Sequence, residues 1–314
     1  MFNNILVPLD GSPLAECVLP HVLSVARSLN AKVTLLTVCV PRDRSQTTRP
    51  VNSLGWSFRT VEADAYLYEV ASRLRAEGLH AETQRVEGKA AGQILAFARQ
   101  RGVDLMMLST QGHSGLTRWN VGSVMQQIIA HARVSVMIIR GHHLVAGDLG
   151  SRTYSRLLCP LDCSPRAEHA LPVATVLARS NSAKLILAHV LAKPDMPRHR
   201  PLTGEELEVS EKVVELNRAE AVRRLEYLQS SLDAGHVDAE SRLLVGDEPA
   251  QGLHNLVKEE KVDMVVMSAH GYSGSTSQSY GSLALNFIMY GTTSLLIAQD
   301  LSPDQIESTE RYGH

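Results

Sequence analysis

Residues 8–16 read Pro8-Leu9-Asp10-Gly11-Ser12-Pro13-Leu14-Ala15-Glu16, and residues 160–168 read Pro160-Leu161-Asp162-Cys163-Ser164-Pro165-Arg166-Ala167-Glu168. Seven of the nine positions are identical. Chance rarely produces such a match, so the stretch indicates an internal repeat. Each copy follows a short aliphatic run, and its Ser-Pro pair is typical of a helix start. We therefore expect a first strand that leads directly into a helix at both places.

Two later segments repeat in the same order. Residues 103–109 resemble residues 262–268, and the Gly122-Ser123 pair returns as Gly281-Ser282. The offset between the copies is 152 residues at the first segment and 159 at the other two, so one loop changed length. The chain is therefore expected to hold a first domain at 1–141, a linker at 142–154, a second domain at 155–300 and a poorly ordered tail at 301–314.

Within each copy, short aliphatic runs alternate with longer helical patterns. In the first copy, the predicted strands cover residues 5–9, 32–40, 80–86, 105–109 and 134–140. Strands that alternate with helices in this way are typical of a parallel sheet that is covered by helices on both faces. The sequence therefore predicts two tandem α/β domains, each with three layers.

Composition narrows the class of partner and the compartment. The formal net charge is −2, and 20% of the residues are charged, which does not suit a general nucleic-acid or membrane binder. The cysteines Cys17, Cys39, Cys159 and Cys163 form no Cys-x-x-Cys pair, which favours reduced thiols. The sequence starts without the basic segment of a signal peptide and has no apolar run long enough to span a membrane. We expect a soluble cytoplasmic protein.

Function is expected at the carboxyl ends of the strands, where ligands bind to open parallel sheets. Asp10 and Asp162 end the first strand of each copy. A carboxylate there can accept hydrogen bonds from a ribose or from a base edge. It can equally close an Asx turn or cap a helix. The spacing alone favours neither interpretation.

A glycine-containing loop follows the fourth strand in each copy. Nine residues separate Gly112 from Gly122, and nine separate Gly271 from Gly281. Glycines allow positive φ and close approach of the backbone, and the helix that follows offers unpaired N–H groups to a phosphate. The alternative is a flexible loop with a capping serine. Because the same glycine spacing occurs in both copies, a phosphate-binding loop is favoured over a flexible loop.

Taken together, these segments resemble the universal stress protein family, whose phosphate loop reads Gly, two residues, Gly, nine residues, Gly and then Ser or Thr. The resemblance covers nearly the whole chain, from Val-Pro-Leu-Asp-Gly-Ser at 7–12 to the last strand of each copy. It implies five-stranded parallel sheets of order 3-2-1-4-5, in which strands one and four are neighbours. It also implies that the two domains pair about a pseudo-twofold axis through their last strands.

The resemblance further implies two sites for ATP, ADP or AMP, with Mg²⁺ held by the phosphates. The aspartates would contact the ribose, Val38 and Val190 would flank the adenine, and the loops would hold the phosphates. The first site would include Pro8, Leu9, Asp10, Val38, Leu108, Ser109, Gly112, His113, Gly115, Gly122, Ser123 and Val124. The second would include Pro160, Leu161, Asp162, Val190, Met267, Ser268, Gly271, Gly274, Gly281, Ser282 and Leu283.

One position departs from the family pattern in both copies. The first glycine of the family pattern is replaced by Ser109 in one copy and by Ser268 in the other. If this position needs positive φ, the affinity falls or the site is lost. If it does not, the serine hydroxyl can donate a hydrogen bond to the ligand.

These features favour a nucleotide-binding stress-response regulator over an enzyme. The sequence has no Walker-type phosphate loop, places no general base, and contains no predicted metal ligands of its own. Two alternatives stay open. One is a slow ATP hydrolase or phosphotransferase on the same site, with His113 as its first candidate residue. The other is a protein-interaction scaffold that binds no nucleotide. Whole chains are expected to form homodimers, and neither nucleic acid nor a membrane is an expected partner.

Overall fold

The computed structural model describes residues 1–40, 53–110, 122–140, 149–150, 152–191, 204–272 and 278–301. The chain divides into two compact units, with Met1–Thr153 in the first and Tyr154–Asp300 in the second. Most of the predicted linker and of the predicted tail, residues 142–148, 151 and 302–314, lies outside the described residues, as does residue 141 at the end of the predicted first domain.

The first unit alternates strands and helices along the chain. Its strands are β1 (Asn4–Pro8), β2 (Lys32–Cys39), β3 (Ala81–Glu87), β4 (Leu105–Ser109) and β5 (Ser135–Ile139). Its helices are α1 (Leu19–Leu29), α2 (Ser53–Ala76), α3 (Ala90–Gln100) and α4 (Ser123–His131).

The second unit repeats this sequence of elements. Its strands are β6 (Arg156–Pro160), β7 (Lys184–Leu191), β8 (Ala239–Val245), β9 (Met264–Ser268) and β10 (Ser294–Ala298). Its helices are α5 (Leu171–Asn181), α6 (Gly204–Ala234), α7 (Pro249–Glu259) and α8 (Ser282–Tyr290).

The described strands of each unit form a parallel sheet of the expected order. In the first unit the order is β3-β2-β1-β4-β5, and in the second it is β8-β7-β6-β9-β10. The winding reverses between β1 and β4 and between β6 and β9. The carboxyl ends of these central strands therefore flank a crevice in each unit, which is where such sheets bind ligands.

Helices cover both faces because right-handed crossovers change face where the winding reverses. The helices α3 and α4 pack against each other, as do α7 and α8, while α2 packs on β2 and β3. The central strands are consequently inaccessible to water on both sides. Their apolar residues, for example Ile5, Leu6 and Met106, are fully buried, which explains why these strands read as continuous aliphatic runs.

The exit from the first strand differs from the prediction. The Ser-Pro pair does not begin an α-helix directly. Ser12 Oγ accepts a hydrogen bond from Ala15 N at 3.1 Å, and one turn of 3₁₀-helix at Ala15–Val18 precedes α1. The second unit repeats this geometry, with Ser164 Oγ bonded to Ala167 N at 3.1 Å. The serine caps the chain as expected, but the regular helix begins several residues later.

Within the part of the chain that is described, no helix has the length and apolar character needed to cross a membrane.

Candidate functional site

The first unit has a cavity of about 340 Å³ at the carboxyl ends of β1 and β4. The predicted residues that line it come from the end of β1, from β2, from the end of β4 and from the start of α4: Pro8, Leu9, Asp10, Val38, Leu108, Ser109, Gly122, Ser123 and Val124. The sheet order therefore brings together residues that are more than 100 positions apart in the sequence.

One wall of this cavity is apolar and was largely missed by the sequence analysis. Leu36 and Val38 line it from β2, and Ala90 and Ile94 line it from α3. Only Val38 was predicted. The sequence signal for Ala90 and Ile94 is the helical period of α3, since these two residues are four positions apart and share one face of that helix. An apolar wall of this kind suits the face of a planar ring.

Asp10 provides a carboxylate at the mouth of the crevice. Its Oδ1 accepts a hydrogen bond from Ser12 N at 2.9 Å, so the carboxylate closes an Asx turn. The side chain is nevertheless exposed and lines the cavity. The turn interpretation is thus correct in the structure, and it leaves the carboxylate positioned where a ligand hydroxyl could reach it.

The helix α4 points its amino terminus at the same cavity. Gly122, Ser123, Val124 and Met125 all line it, and no side chain caps the helix. The first turn carries no acidic residue either. The N–H groups of this turn have no partner within the helix and lie at the positive end of its dipole. This arrangement can bind an anion.

The glycine that precedes this helix has a negative φ. Gly122 has a φ of −57°, and its counterpart Gly281 has a φ of −71°. Directly after the aspartates, Gly11 and Cys163 are left-handed, with φ values of 79° and 64°. A Cβ built on Gly122 meets no atom within 4 Å. The fold itself therefore does not require glycine at position 122.

The serine that replaces the first family glycine is accommodated without a left-handed backbone. Ser109 is the last residue of β4, and its Oγ donates to Leu14 O at 3.1 Å and lies 3.2 Å from Cys17 Sγ. Burial raises the pKa of the Cys17 thiol, and the hydrogen bond with Ser109 opposes this. The structure thus removes the positive-φ objection to serine at this position.

The second unit has a corresponding cavity of about 390 Å³. The predicted residues that line it are Pro160, Leu161, Asp162, Val190, Met267, Ser268, Gly271, Gly281, Ser282 and Leu283. Ser268 Oγ is buried here and has no hydrogen-bond partner among the described residues. A buried hydroxyl without a partner is costly, and a ligand in the cavity could supply the missing hydrogen bond.

The carboxylate of Asp162 accepts two backbone hydrogen bonds. Its Oδ1 accepts from Ser164 N at 3.0 Å, which repeats the Asx turn of the first unit. Its Oδ2 accepts from Tyr272 N at 2.6 Å, so the carboxylate also fixes the start of the loop after β9. Gly271 packs directly against this carboxylate, and a Cβ there would lie 2.2 Å from Asp162 Oδ2.

The walls that β2 and β7 contribute to the two cavities differ at one position. Thr37 Oγ1 donates to Leu9 O at 2.9 Å in the first unit, and His189 Nδ1 lies 2.8 Å from the equivalent carbonyl, Leu161 O, in the second. His189 reaches the cavity, whereas Thr37 does not line the first one. The sequence analysis did not single out His189, because a lone histidine within a strand carries no motif.

The second loop is anchored by charged side chains at positions where the sequence of the first unit has Leu14, Gln111 and Gly141. The His270 ring is bonded through Nδ1 to Asp300 Oδ1 and through Nε2 to Gln278 O, each at 2.8 Å. Asp300 also accepts from Arg166 Nε at 2.7 Å. Burial raises the pKa of Asp300, but the hydrogen bonds from His270 and Arg166 outweigh it and lower the pKa overall.

Several predicted residues lie outside the described part of the chain. These are Gly112, His113 and Gly115 in the first loop and Gly274 in the second. Their roles stay predictions from the sequence.

Comparison with known proteins agrees with this fold. The model of the universal stress protein family matches residues 1–140 and again 153–299. Universal stress proteins of Methanocaldococcus jannaschii and Bacillus subtilis are each 26% identical to the chain, over 144 and 155 residues. Each of these alignments covers 45% of this chain, and they cover 83% and 100% of the two relatives.

Two solved structures match nearly the whole chain in fold. A universal stress protein from Archaeoglobus fulgidus has a TM-score of 0.66 at 18% identity and covers 96% of this chain and 100% of its own. A Pseudomonas aeruginosa protein of unknown function has a TM-score of 0.67 at 16% identity, with 99% and 96% covered. With two family matches that together span most of its length, the chain belongs to the universal stress protein family as a tandem, two-domain member.

Proposed function

We propose that the chain binds adenine nucleotides, ATP and its products ADP and AMP, in the two cavities and acts as a nucleotide-responsive regulator in the cytoplasm. Some members of the family bind nucleotides. The observation that carries the proposal for this chain is the same in both domains. An apolar wall, an exposed carboxylate and an uncapped helix amino terminus meet in one cavity.

The apolar wall suits the base. Val38 in the first domain and Val190 in the second lie on the strand next to the central one, opposite the start of a helix. Burial of a planar ring between such side chains contributes about 25 cal/mol for each Å² of apolar surface removed from water. The adenine would therefore supply most of the hydrophobic part of the affinity.

The carboxylates suit the ribose. Asp10 and Asp162 are both held in place by an Asx turn, so little side-chain entropy is lost when a ligand binds. A carboxylate oxygen that accepts one backbone hydrogen bond keeps a further lone pair for a ribose hydroxyl. In the second domain, each carboxylate oxygen of Asp162 accepts one backbone hydrogen bond, from Ser164 N and from Tyr272 N.

The helix amino termini suit the phosphates. The helices α4 and α8 both begin at the cavity, after Gly122 and Gly281, and neither has an acidic residue in its first turn. The described residues contain no group of three or more metal-ligating side chains. A Mg²⁺ ion would therefore be held by the phosphates and water. All four cysteines are free thiols, which suits the reducing cytoplasm.

The alternative of a slow hydrolase is less well supported. Asp10 is the one ionisable side chain among the described residues that line the first cavity. Its carboxylate already accepts a hydrogen bond from Ser12 N in the Asx turn. Hydrolysis would need a group that positions water at the phosphate end, and the described lining residues of this domain do not supply one.

A titration followed by product analysis distinguishes the three functions. The full chain is titrated with ATP, ADP, AMP and GTP in the presence of Mg²⁺, and the ATP complex is then incubated and its ADP content measured. The proposal predicts saturable binding of the adenine nucleotides, weaker binding of GTP, and ATP that stays intact. Steady formation of ADP would indicate the hydrolase. No binding of any nucleotide would refute the proposal and leave the scaffold.

A further inference from the structure

The second domain carries a buried charged cluster that belongs to no part of the site described so far. It consists of His270, Asp300 and Arg166, which come from three different loops at the carboxyl edge of the sheet. The side chains of His270 and Asp300 are 0% and 2% exposed. Leu14, Gln111 and Gly141 occupy the equivalent positions of the first domain. The cluster is thus specific to the second domain.

The hydrogen bonds of His270 define its charge. Gln278 O can only accept, so Nε2 must carry a proton. Nδ1 faces a carboxylate that already accepts from Arg166, and Asp300 is therefore ionised. Nδ1 must then carry a proton as well. A ring with a proton on both nitrogens is an imidazolium, and the two cations and one carboxylate leave one net positive charge.

This charge lies beside the start of α8. A Cβ built on Gly281 would be 3.7 Å from His270 Cα and 3.9 Å from its Cδ2. An imidazolium next to the positive end of a helix dipole is unfavourable on its own. An anion in the cavity would be attracted by the imidazolium and by the helix amino terminus, which would offset this repulsion. Ser268, whose hydroxyl is buried without a described partner, lines the same cavity.

Hydrogen bonds from the cluster and from its neighbours also hold the end of the loop that precedes α8. His270 bonds to Gln278 O, Gln299 Nε2 donates to Ser279 O at 3.2 Å, and Gly281 N donates to Ala269 O at 2.8 Å. Residues 278–281 are therefore held in place before any ligand binds. A site whose donors are already in position loses less entropy when a ligand binds.

We propose that His270, held as an imidazolium by Asp300 and Arg166, is a positioning residue that makes the second cavity a preorganised site for the polyphosphate end of a nucleotide. The inference rests on the proposed nucleotide binding and adds its electrostatic control. Both ring nitrogens are already bonded, so His270 acts through its charge and through the loop rather than by touching the phosphate. A neutral side chain at this position should consequently weaken the binding of ATP more than the binding of adenosine.

The charged and titratable groups around the ring come from each described element that packs near it. They are Asp300 after β10, Arg166 before the 3₁₀ turn, and Asp162 at the end of β6, which contacts Gly271. His189 lines the same cavity from β7, so the variants are compared at a single pH.

The test uses the full chain with Gly122→Ala, so that the first site is weakened and binding reports the second. The affinities for ATP and for adenosine are measured by equilibrium dialysis at a single pH. His270→Gln, which installs the residue of the first domain, should weaken ATP binding about tenfold and leave adenosine binding unchanged. Asp300→Asn, which removes the carboxylate bonded to the ring, should weaken ATP binding in the same way. His169→Gln, at an exposed histidine outside the cavity, is the matched control and should change nothing.

Three results would overturn the inference. The first is His270→Gln protein that binds ATP with the parental affinity, or that loses affinity for adenosine to the same extent. The second is Asp300→Asn protein that binds ATP with the parental affinity while its urea unfolding shows a folded second domain. The third is absence of ATP binding in the Gly122→Ala background. The last result would leave the proposed function standing if Gly281→Ala protein still binds ATP at the first site, and would refute both if it does not.

Discussion

Replacing Gly122 by alanine should weaken ATP binding at the first site without harming the fold. Gly122 has a φ of −57° and a ψ of 154°, which alanine adopts readily, and its Cβ would meet no atom of the described residues within 4 Å. Relative to glycine, alanine lowers the entropy of the unfolded chain, so the fold should be unchanged or gain about 0.4–1 kcal/mol. Because Gly122 lines the cavity, the new methyl group lies where a phosphate would approach the start of α4.

The size of the binding effect follows from the contact that is lost. A hydrogen bond to a charged group is worth about 1.5–3 kcal/mol, which corresponds to an affinity loss of about 10-fold to about 100-fold. The affinity can be followed by calorimetry or by the fluorescence of Trp119, which lies within the loop sequence of the first domain.

Gly92→Ala is the matched control. Gly92 lies in α3, does not line the cavity, and has equally open space around a built Cβ. It should gain a similar amount of stability and bind ATP like the parent protein. If Gly122→Ala protein also binds ATP with parental affinity, phosphates do not approach the start of α4, and the reasoning is refuted.

Three further predictions concern stability and the second site. The pKa of His21 is lowered to about 3, mainly by burial and further by the charge of Arg152. The unfolded chain therefore binds this proton more tightly than the folded chain. The contribution of His21 to the free energy of unfolding should be complete above about pH 6.5 and should fall by about 1.4 kcal/mol per pH unit below it. Urea unfolding followed by tryptophan fluorescence, which reports the first domain alone because Trp56 and Trp119 both belong to it, should show this loss in the parent and a flatter profile in His21→Gln. Cys163→Gly should stabilise the second domain by about 1 kcal/mol, because Cys163 holds a φ of 64° that glycine adopts without strain; an unchanged urea midpoint would contradict this. Gly271→Ala should displace the Asp162 carboxylate, since the new Cβ would lie 2.2 Å from its Oδ2; ATP binding should weaken at the second site and persist at the first, and equal binding at both would be the contrary result.

The sequence predicts the fold well because the fold depends on local pattern and repetition. The five strands of the first domain differ from their predicted bounds by about one residue at each end, and the sheet order implied by the family is confirmed in each unit. The exit from β1 was less accurate. Ser12-Pro13 marks a helix start, but the choice between a 3₁₀ turn and an α-helix depends on how the chain packs against β4.

Parts of the site could not be predicted, for physical reasons. Asp10 and Gly122 carry motifs, whereas Ala90 and Ile94 are ordinary residues of an amphipathic helix. The cluster around His270 joins residues that lie 30 and 134 positions apart, and no local pattern records such pairings. Gly122 and Gly281 have negative φ, so the motif does not mark these two positions because of a left-handed backbone. The pairing of the two domains about a pseudo-twofold axis stays a prediction.

The most direct test of the account is the nucleotide content of the protein itself. The full chain is purified without added nucleotide and denatured, and the released ATP, ADP and AMP are quantified per chain for the parent, Gly122→Ala and Gly281→Ala proteins. We predict one or two adenine nucleotides per parent chain, with a loss in the matching variant. No released nucleotide, together with no saturable binding when ATP and Mg²⁺ are added, would contradict the account.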